Sequence, residues 1–168
     1  MVAYQKAGYL RLSTVKVAPD FLEALNTLTQ KPFIKYDQTI PTTAVTKLDI
    51  AHMENGDIAG LCVFQDPYAY IAVKQINGTR SIIMMNNNVT IDSAAVTTPT
   101  IYLRTNVSNA SRKASFEYSF DNKSFTKLGN ELNMRFSLKI FTGNKFCLFN
   151  YATKKTGGYV DFDWFRVN

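Results

Sequence analysis

One histidine, one tryptophan, two cysteines and a charged fraction of only 19% are the scarcities of this 168-residue chain. With His52 as the sole imidazole and Cys62 and Cys147 far apart in sequence, no Cys/His spacing resembles a zinc site. The eight glycines form neither a phosphate-cradling loop nor a dinucleotide fingerprint. No stretch approaches the ~20 unbroken apolar residues of a membrane span, so no membrane partner is expected. The opening Met1-Val2-Ala3-Tyr4-Gln5-Lys6 has no apolar run behind a basic region, and no signal peptide is visible. What is abundant excludes disorder: twelve Phe, nine Tyr and 46% apolar residues give ample material for a core. No Pro/Ser-rich linker divides the chain, so residues 1–168 are read as a single domain.

The net charge of +6 raises the question of nucleic acid. Basic residues stand singly along the chain, and the densest groupings are Arg112-Lys113 and Lys154-Lys155. A phosphate-tracking surface needs tighter clustering, so no nucleic-acid partner is expected. Each cysteine lies inside an apolar run, Leu61-Cys62-Val63-Phe64 and Phe146-Cys147-Leu148-Phe149, as buried free thiols do. A Cys62–Cys147 disulfide would require neighbouring strands, which sequence does not establish.

The dominant period is two. Lys113-Ala114-Ser115-Phe116-Glu117-Tyr118-Ser119-Phe120 alternates strictly, and Asp121-Asn122-Lys123 turns it back into Ser124-Phe125-Thr126-Lys127-Leu128, a hairpin. Further strands are expected over 9–17, 42–50, 58–65, 69–75, 80–85, 100–107, 136–141, 145–150 and 159–167, with a short helical turn within 18–28. Residues 58–64 are nearly all apolar, which predicts a central strand covered on both faces. Many short strands separated by Asx/Gly/Pro punctuation indicate an all-β domain, either a two-sheet antiparallel β-sandwich or a barrel.

Candidate chemistry is sparse. In the last strand strict alternation puts Tyr159, Asp161, Asp163 and Phe165 on one face. Asp161 and Asp163 are then ~7 Å apart at the backbone, but glycosidase pairs flank a bond from opposite sides, which neighbours on one face do not. His52 sits beside turn residues with no Ser or Cys nucleophile motif, so it reads as a loop histidine. No catalytic residue is assigned, and the chain by itself does not read as an enzyme. Tyr68 and Tyr70, beside the Asp66-Pro67 turn, are candidates for a sugar-stacking platform, with Tyr102, Tyr151 and Tyr159 behind them. Packing within the core is the competing role for every one of these rings.

Several stretches carry a resemblance: Asn26-Thr27-Leu28-Thr29-Gln30-Lys31, Gly56-Asp57-Ile58-Ala59-Gly60-Leu61, Phe64-Gln65-Asp66-Pro67-Tyr68, Phe141-Thr142-Gly143-Asn144 and Gly157-Gly158-Tyr159-Val160-Asp161-Phe162-Asp163-Trp164-Phe165. In order and spacing, from about Gly8 to Arg166, the chain resembles the C-terminal module of glycoside hydrolase family 43, of the β-xylosidase and α-L-arabinofuranosidase type. The resemblance implies a two-sheet antiparallel β-sandwich of the jelly-roll, concanavalin A-like type that follows a five-bladed β-propeller in cis. It implies that the propeller carries all the catalytic carboxylates and that the parent enzyme degrades plant xylan or arabinan as an extracellular or periplasmic protein. It implies that one sandwich loop lends an aromatic to the substrate pocket, with Phe33 in Thr29-Gln30-Lys31-Pro32-Phe33 as the candidate here. Only seven residues precede the segment matching Gly8-Tyr9-Leu10, so an excised domain lacking an N-terminal strand is expected. No cofactor is required. A structural calcium is the one metal implied, with Asp163 in Asp163-Trp164-Phe165-Arg166-Val167 as a ligand. The alternative reading is an autonomous carbohydrate-binding module for xylo- or arabino-oligosaccharides.

Overall fold

A computed structural model describes residues 5–6, 8–30, 39–135, 137–140 and 143–168. Its strands, in chain order, are β1 (Gln5–Lys6), β2 (Tyr9–Ser13), β3 (Thr27–Gln30), β4 (Thr42–Asp49), β5 (Asp57–Phe64), β6 (Ala69–Ile76), β7 (Thr79–Asn86), β8 (Val89–Ala95), β9 (Thr100–Ser108), β10 (Lys113–Ser119), β11 (Thr126–Lys127), β12 (Leu132–Asn133), β13 (Lys145–Ala152) and β14 (Tyr159–Val167). They form two antiparallel sheets. The eight-stranded sheet runs β1-β2-β14-β4-β9-β10-β11, with β12 also on β10, and the six-stranded sheet runs β3-β13-β5-β6-β7-β8. The expected two-sheet sandwich is the architecture found.

Alternation along the strands decides what goes inside. Leu12, Ala44, Leu48, Leu103, Phe116, Val160 and Phe162 from one sheet meet Leu61, Val63, Ile71, Val73, Ile82, Phe146 and Leu148 from the other in the main core. β5 is buried along Asp57–Val63, as its apolar run predicts, because its other face is covered too. After Ser13 the chain leaves the eight-stranded sheet and crosses the far face of the six-stranded one. The expected strand over 9–17 therefore stops at Ser13, where Thr14 N donates to Gly158 O at 2.8 Å. The crossing segment is tied down by Ala18 N to Ala152 O at 2.8 Å and by the Asn26 side-chain amide on Ser13 O.

The crossing carries one 3-10 turn, Phe21–Glu23, capped by Asp20, whose Oδ1 accepts from Leu22 N and Glu23 N. The turn lowers Phe21 into a second buried cluster with Tyr68, Tyr70, Phe149, Cys62 and Cys147. The Phe21 ring lies 4.8 Å from Phe149 and 5.1 Å from Tyr68, centroid to centroid. Cys147 and Cys62 face each other across the β13–β5 ladder, and both remain free thiols. Burial pushes the Cys147 thiol up to about 12 and Cys62 well above its ordinary range, so neither is a ready nucleophile.

Three elements depart from the sequence expectation. β3 stands where part of a helical turn was expected, because residues 27–30 pair with β13 at its edge. β8 was not anticipated. It is reached through Asn87 and Asn88, both at left-handed φ, and as an exposed edge strand it has almost no buried face to betray it. Residues 137–140, expected within a strand, form a turn.

Because Phe21 closes the second cluster and is 3% exposed, Phe21→Ala is expected to lower the unfolding free energy by about 3–5 kcal/mol. The adjacent Leu22→Ala, at a 56% exposed position, should stay within about 0.5 kcal/mol of wild type. Urea denaturation of the two variants tests the contrast.

Candidate functional site

The carboxylates of the last strand come first. β14 pairs with β4 from Asp161↔Asp49 to Val167↔Ala44, and the register shifts between Phe162 and Trp164. That bulge at Asp163 breaks the alternation. Val160 and Phe162 face the core, Phe165 and Val167 also pack on it beyond the bulge, and the expected face shared by Asp161, Asp163 and Phe165 does not form.

Each carboxylate has a cation. Asp161, 2% exposed, takes a two-pronged contact from Arg11: Nε to Oδ1 and Nη2 to Oδ2, both 2.7 Å. Asp163 Oδ2 accepts from Lys47 Nζ at 2.6 Å. The carboxylates hold the Arg11 and Lys47 pKa values above their usual ones, through the hydrogen bond first. Two carboxyls closed by separate cations on one sheet do not form the facing acid–base pair of a glycosidase.

Asp163 Oδ2 lies at hydrogen-bond distance from the Lys47 ammonium, and among the described residues no group of three or more His, Cys, Asp or Glu side chains stands together as a metal site would. His52 lies on the same outer sheet surface, stacked 4.6 Å from the Tyr159 ring, and the Arg11 guanidinium sits 3.8 Å from that ring's centre.

The aromatic candidates divide between the two sheets. Tyr70 is fully enclosed and Tyr68 is 3% exposed, both under Phe21. Their hydroxyls are engaged, Tyr68 with Asn88 Oδ1 and Tyr70 with Tyr151 Oη at 3.3 Å, and burial raises both phenol pKa values. As placed, neither ring offers a face to solvent, and the same holds for Tyr151 at 4% exposure. Phe21 of the crossing segment covers both rings, so this arrangement presents no open stacking face at Tyr68 and Tyr70.

Tyr102 instead packs with Trp164, 6.0 Å between ring centres, and Arg166 lies 4.5 Å over the Trp164 ring. Trp164 was not singled out from sequence, because strict alternation put it inside and only the bulge turns it out. Phe33 lies outside the described residues.

One carboxylate escaped the sequence reading. Asp57 is fully buried, and its Oδ2 accepts from Glu54 N at 2.8 Å. Gly158 makes this possible: a Cβ there would stand 1.8 Å from Oδ2. Burial raises the Asp57 pKa from 3.8 to about 6, against the lowering effect of the Glu54 amide and the Thr14 hydroxyl. The value suits a general acid, but Asp57 lines neither of the clefts described next.

One cleft, about 400 Å³, lies beside the crossing segment, between Pro19, Asp20, Lys74, Asn88 and Tyr151. The other, about 330 Å³, lies at one end of the sandwich, between Gln65, Asn109, Arg112, Met134, Arg135 and Asn144. Pairings Gln30↔Phe146, Lys145↔Phe64 and Thr42↔Val107 bring the end of β3 and the start of β4 to this same end.

The family profile described as the β-xylosidase C-terminal concanavalin A-like domain matches residues 2–168. The chain belongs to that family. It is 30% identical to a β-xylosidase of Formosa agariphila, aligned over 98% of this chain and 30% of that protein. Among solved structures, a bifunctional GH43-CE protein of Bacteroides eggerthii superposes with TM-score 0.91 at 34% identity, over 98% of this chain and 21% of that one. A GH43 glycoside hydrolase engineered to display both endo-xylanase and exo-arabinofuranosidase activity gives 0.87 at 29% identity, over 95% of this chain and 34% of that one. This family 43 domain thus spans about a third or less of each of these three proteins.

The raised Asp57 pKa has a defined sign. Its folded value, about 6, lies above the unfolded value near 3.8, so the charged form disfavours the fold. Stability from this group is greatest below pH ~4 and declines as pH rises to about 6, by up to ~3 kcal/mol. Asp57→Asn should therefore gain on wild type as pH rises, with a larger difference at pH 7.5 than at pH 4.5. Paired urea titrations at the two pH values check this.

Proposed function

We propose that this chain is the non-catalytic accessory domain of a plant-polysaccharide-degrading family 43 glycoside hydrolase, excised from a longer enzyme. In that enzyme it packs on a β-propeller catalytic domain in cis, and the segment carrying Phe33 helps finish the substrate pocket. The observation that carries this reading is coverage. The chain matches a C-terminal domain family throughout its length yet spans only 30% of the β-xylosidase relative and 21% and 34% of the two solved proteins. Most of each such protein lies elsewhere, with room for the catalytic carboxylates. Within this chain Asp161 and Asp163 are neutralised by Arg11 and Lys47 and do not face each other across a cleft.

Arg11 and Asp161 also suit a bracing role. A buried carboxylate held in a two-pronged pair pins β2 to β14, and removing one partner of such a pair typically destabilises by about 3–5 kcal/mol.

The test is an assay of this chain alone on aryl xylosides and arabinosides. No turnover above buffer is expected. Turnover that disappears in Asp161→Asn or Asp163→Asn would overturn the proposal, whereas turnover unaffected by either would point to a contaminant.

A further inference from the structure

Gln65 follows β5 directly and lines the end cleft of about 330 Å³. Its residue exposure is 2%, and among the described residues neither Oε1 nor Nε2 has a hydrogen-bond partner. Such a group is rare in a folded protein, because a buried amide without partners forfeits its hydration for nothing in return. Asn144, across the same cleft, also has a buried side-chain oxygen without a partner. The rim adds Asn109 and the guanidinium groups of Arg112 and Arg135, the latter only loosely paired with Asp66 at 3.8 Å. Met134 supplies an apolar wall, and the volume lies near the lower end of the ~300–1,000 Å³ of small-molecule sites.

The unmet groups select the chemistry of the occupant. Gln65 Oε1 and Asn144 Oδ1 need donors and Gln65 Nε2 needs an acceptor, while the exposed guanidinium groups of Arg112 and Arg135 offer further donors at the rim. An anion such as phosphate or a carboxylate would satisfy the second set and leave the first unpaired. An ammonium would do the reverse against two guanidinium groups. A hydroxyl both donates and accepts, so a neutral polyhydroxylated ring meets both sets, with its C–H face toward Met134.

We propose that the cleft formed by Gln65, Asn144, Arg112, Arg135, Asn109 and Met134 is a binding site for a neutral sugar of the pentose class, one or two rings in extent. The proposal rests on reading the chain as a domain of a carbohydrate-active enzyme, and moves the sugar contact from the Tyr68–Tyr70 face to the end of the sandwich where β3 ends and β4 begins. The amide is shielded from bulk water, so engagement turns it toward the cleft or shifts Met134, the scale of side-chain change common on binding.

The experiment is a ¹⁵N NMR titration of this chain with D-xylose, L-arabinose and xylotriose, following the side-chain amide signals of Gln65 and Asn144. Saturable shifts of both are expected, at about 0.1–10 mM, the weak end of specific binding. Gln65→Leu should weaken binding at least ~10-fold while keeping or raising Tm, because it removes an unpaired buried amide. A role for Gln65 confined to folding would lower Tm instead and overturn the assignment. Arg112→Ala, at an exposed position outside the core, provides a second variant should Gln65→Leu fold poorly, and should weaken binding ~3–10-fold.

No shift at Gln65 and Asn144 with any of the three sugars, equal shifts in Gln65→Leu, shifts produced only by acetate or sulfate, or shifts confined to the surroundings of Tyr68 and Tyr70 would each overturn the site. None of these would touch the accessory-domain reading, which fails only on turnover by the chain alone.

Discussion

The central strands of the six-stranded sheet carry apolar side chains on both faces, so both faces must be removed from water. The eight-stranded sheet covers one. For the other the chain spends residues 14–26, a segment with one short 3-10 turn, pinned at both ends by hydrogen bonds to β13 and β2. Much else follows from that cover. Phe21 meets Phe149, Tyr68 and Tyr70 because it is the large side chain the crossing points downward, and the two tyrosines give up exposure to receive it. An open aromatic platform and a covered apolar sheet are competing uses of the same surface, and here the cover wins. Each buried aromatic contributes roughly 3–5 kcal/mol relative to a truncated side chain, far more than one stacking contact with a solvated sugar returns.

The outer face of the eight-stranded sheet solves a different problem. It stays wet and therefore polar, and its charges pair across strands: Arg11 with Asp161, Lys47 with Asp163, Arg104 with Glu117. Exposed pairs of this kind add little stability individually. Asp161 differs, being buried under a two-pronged guanidinium contact from Arg11. The two carboxylates face separate cations on one sheet surface and do not face each other across a cleft.

Much of the fold could be read from the chain. The strict alternation of residues 113–120 and the two-sided apolar run of 58–64 each name one structure, a half-buried strand and a fully covered one. The elements that escaped lack such a signature. β8 is an edge strand whose side chains face solvent on both sides, so no period shows, and β3 is four residues long. The bulge at Asp163 has no local mark at all, yet it exchanges the faces of every residue after it and turns the lone tryptophan outward. Tyr68 and Tyr70 were correctly seen as neighbours beside a turn, but what covers them is a segment some fifty residues earlier in the chain, a tertiary fact that periodicity does not contain. The ordered string of matches to the family 43 module compensated for this, since order and spacing along the whole chain carry information that single strands do not.

With both faces of the six-stranded sheet covered and the outer face of the other paired, unmet hydrogen-bonding capacity among the described residues is left beside the crossing segment, at Asn26 and Asn150, and at the end of the sandwich, at Gln65 and Asn144. There the strands stop, backbone ladders no longer consume polar groups, and loops from both sheets converge. At one end the residues after β5, in the β9–β10 turn and before β13 enclose Gln65 and Asn144 with amide atoms unpaired. Apolar side chains of the same size would stabilise this end more, so folding alone does not account for the two amides. The sugar site proposed above gives them a use, with rigid strands holding residues that lie on the connections between them.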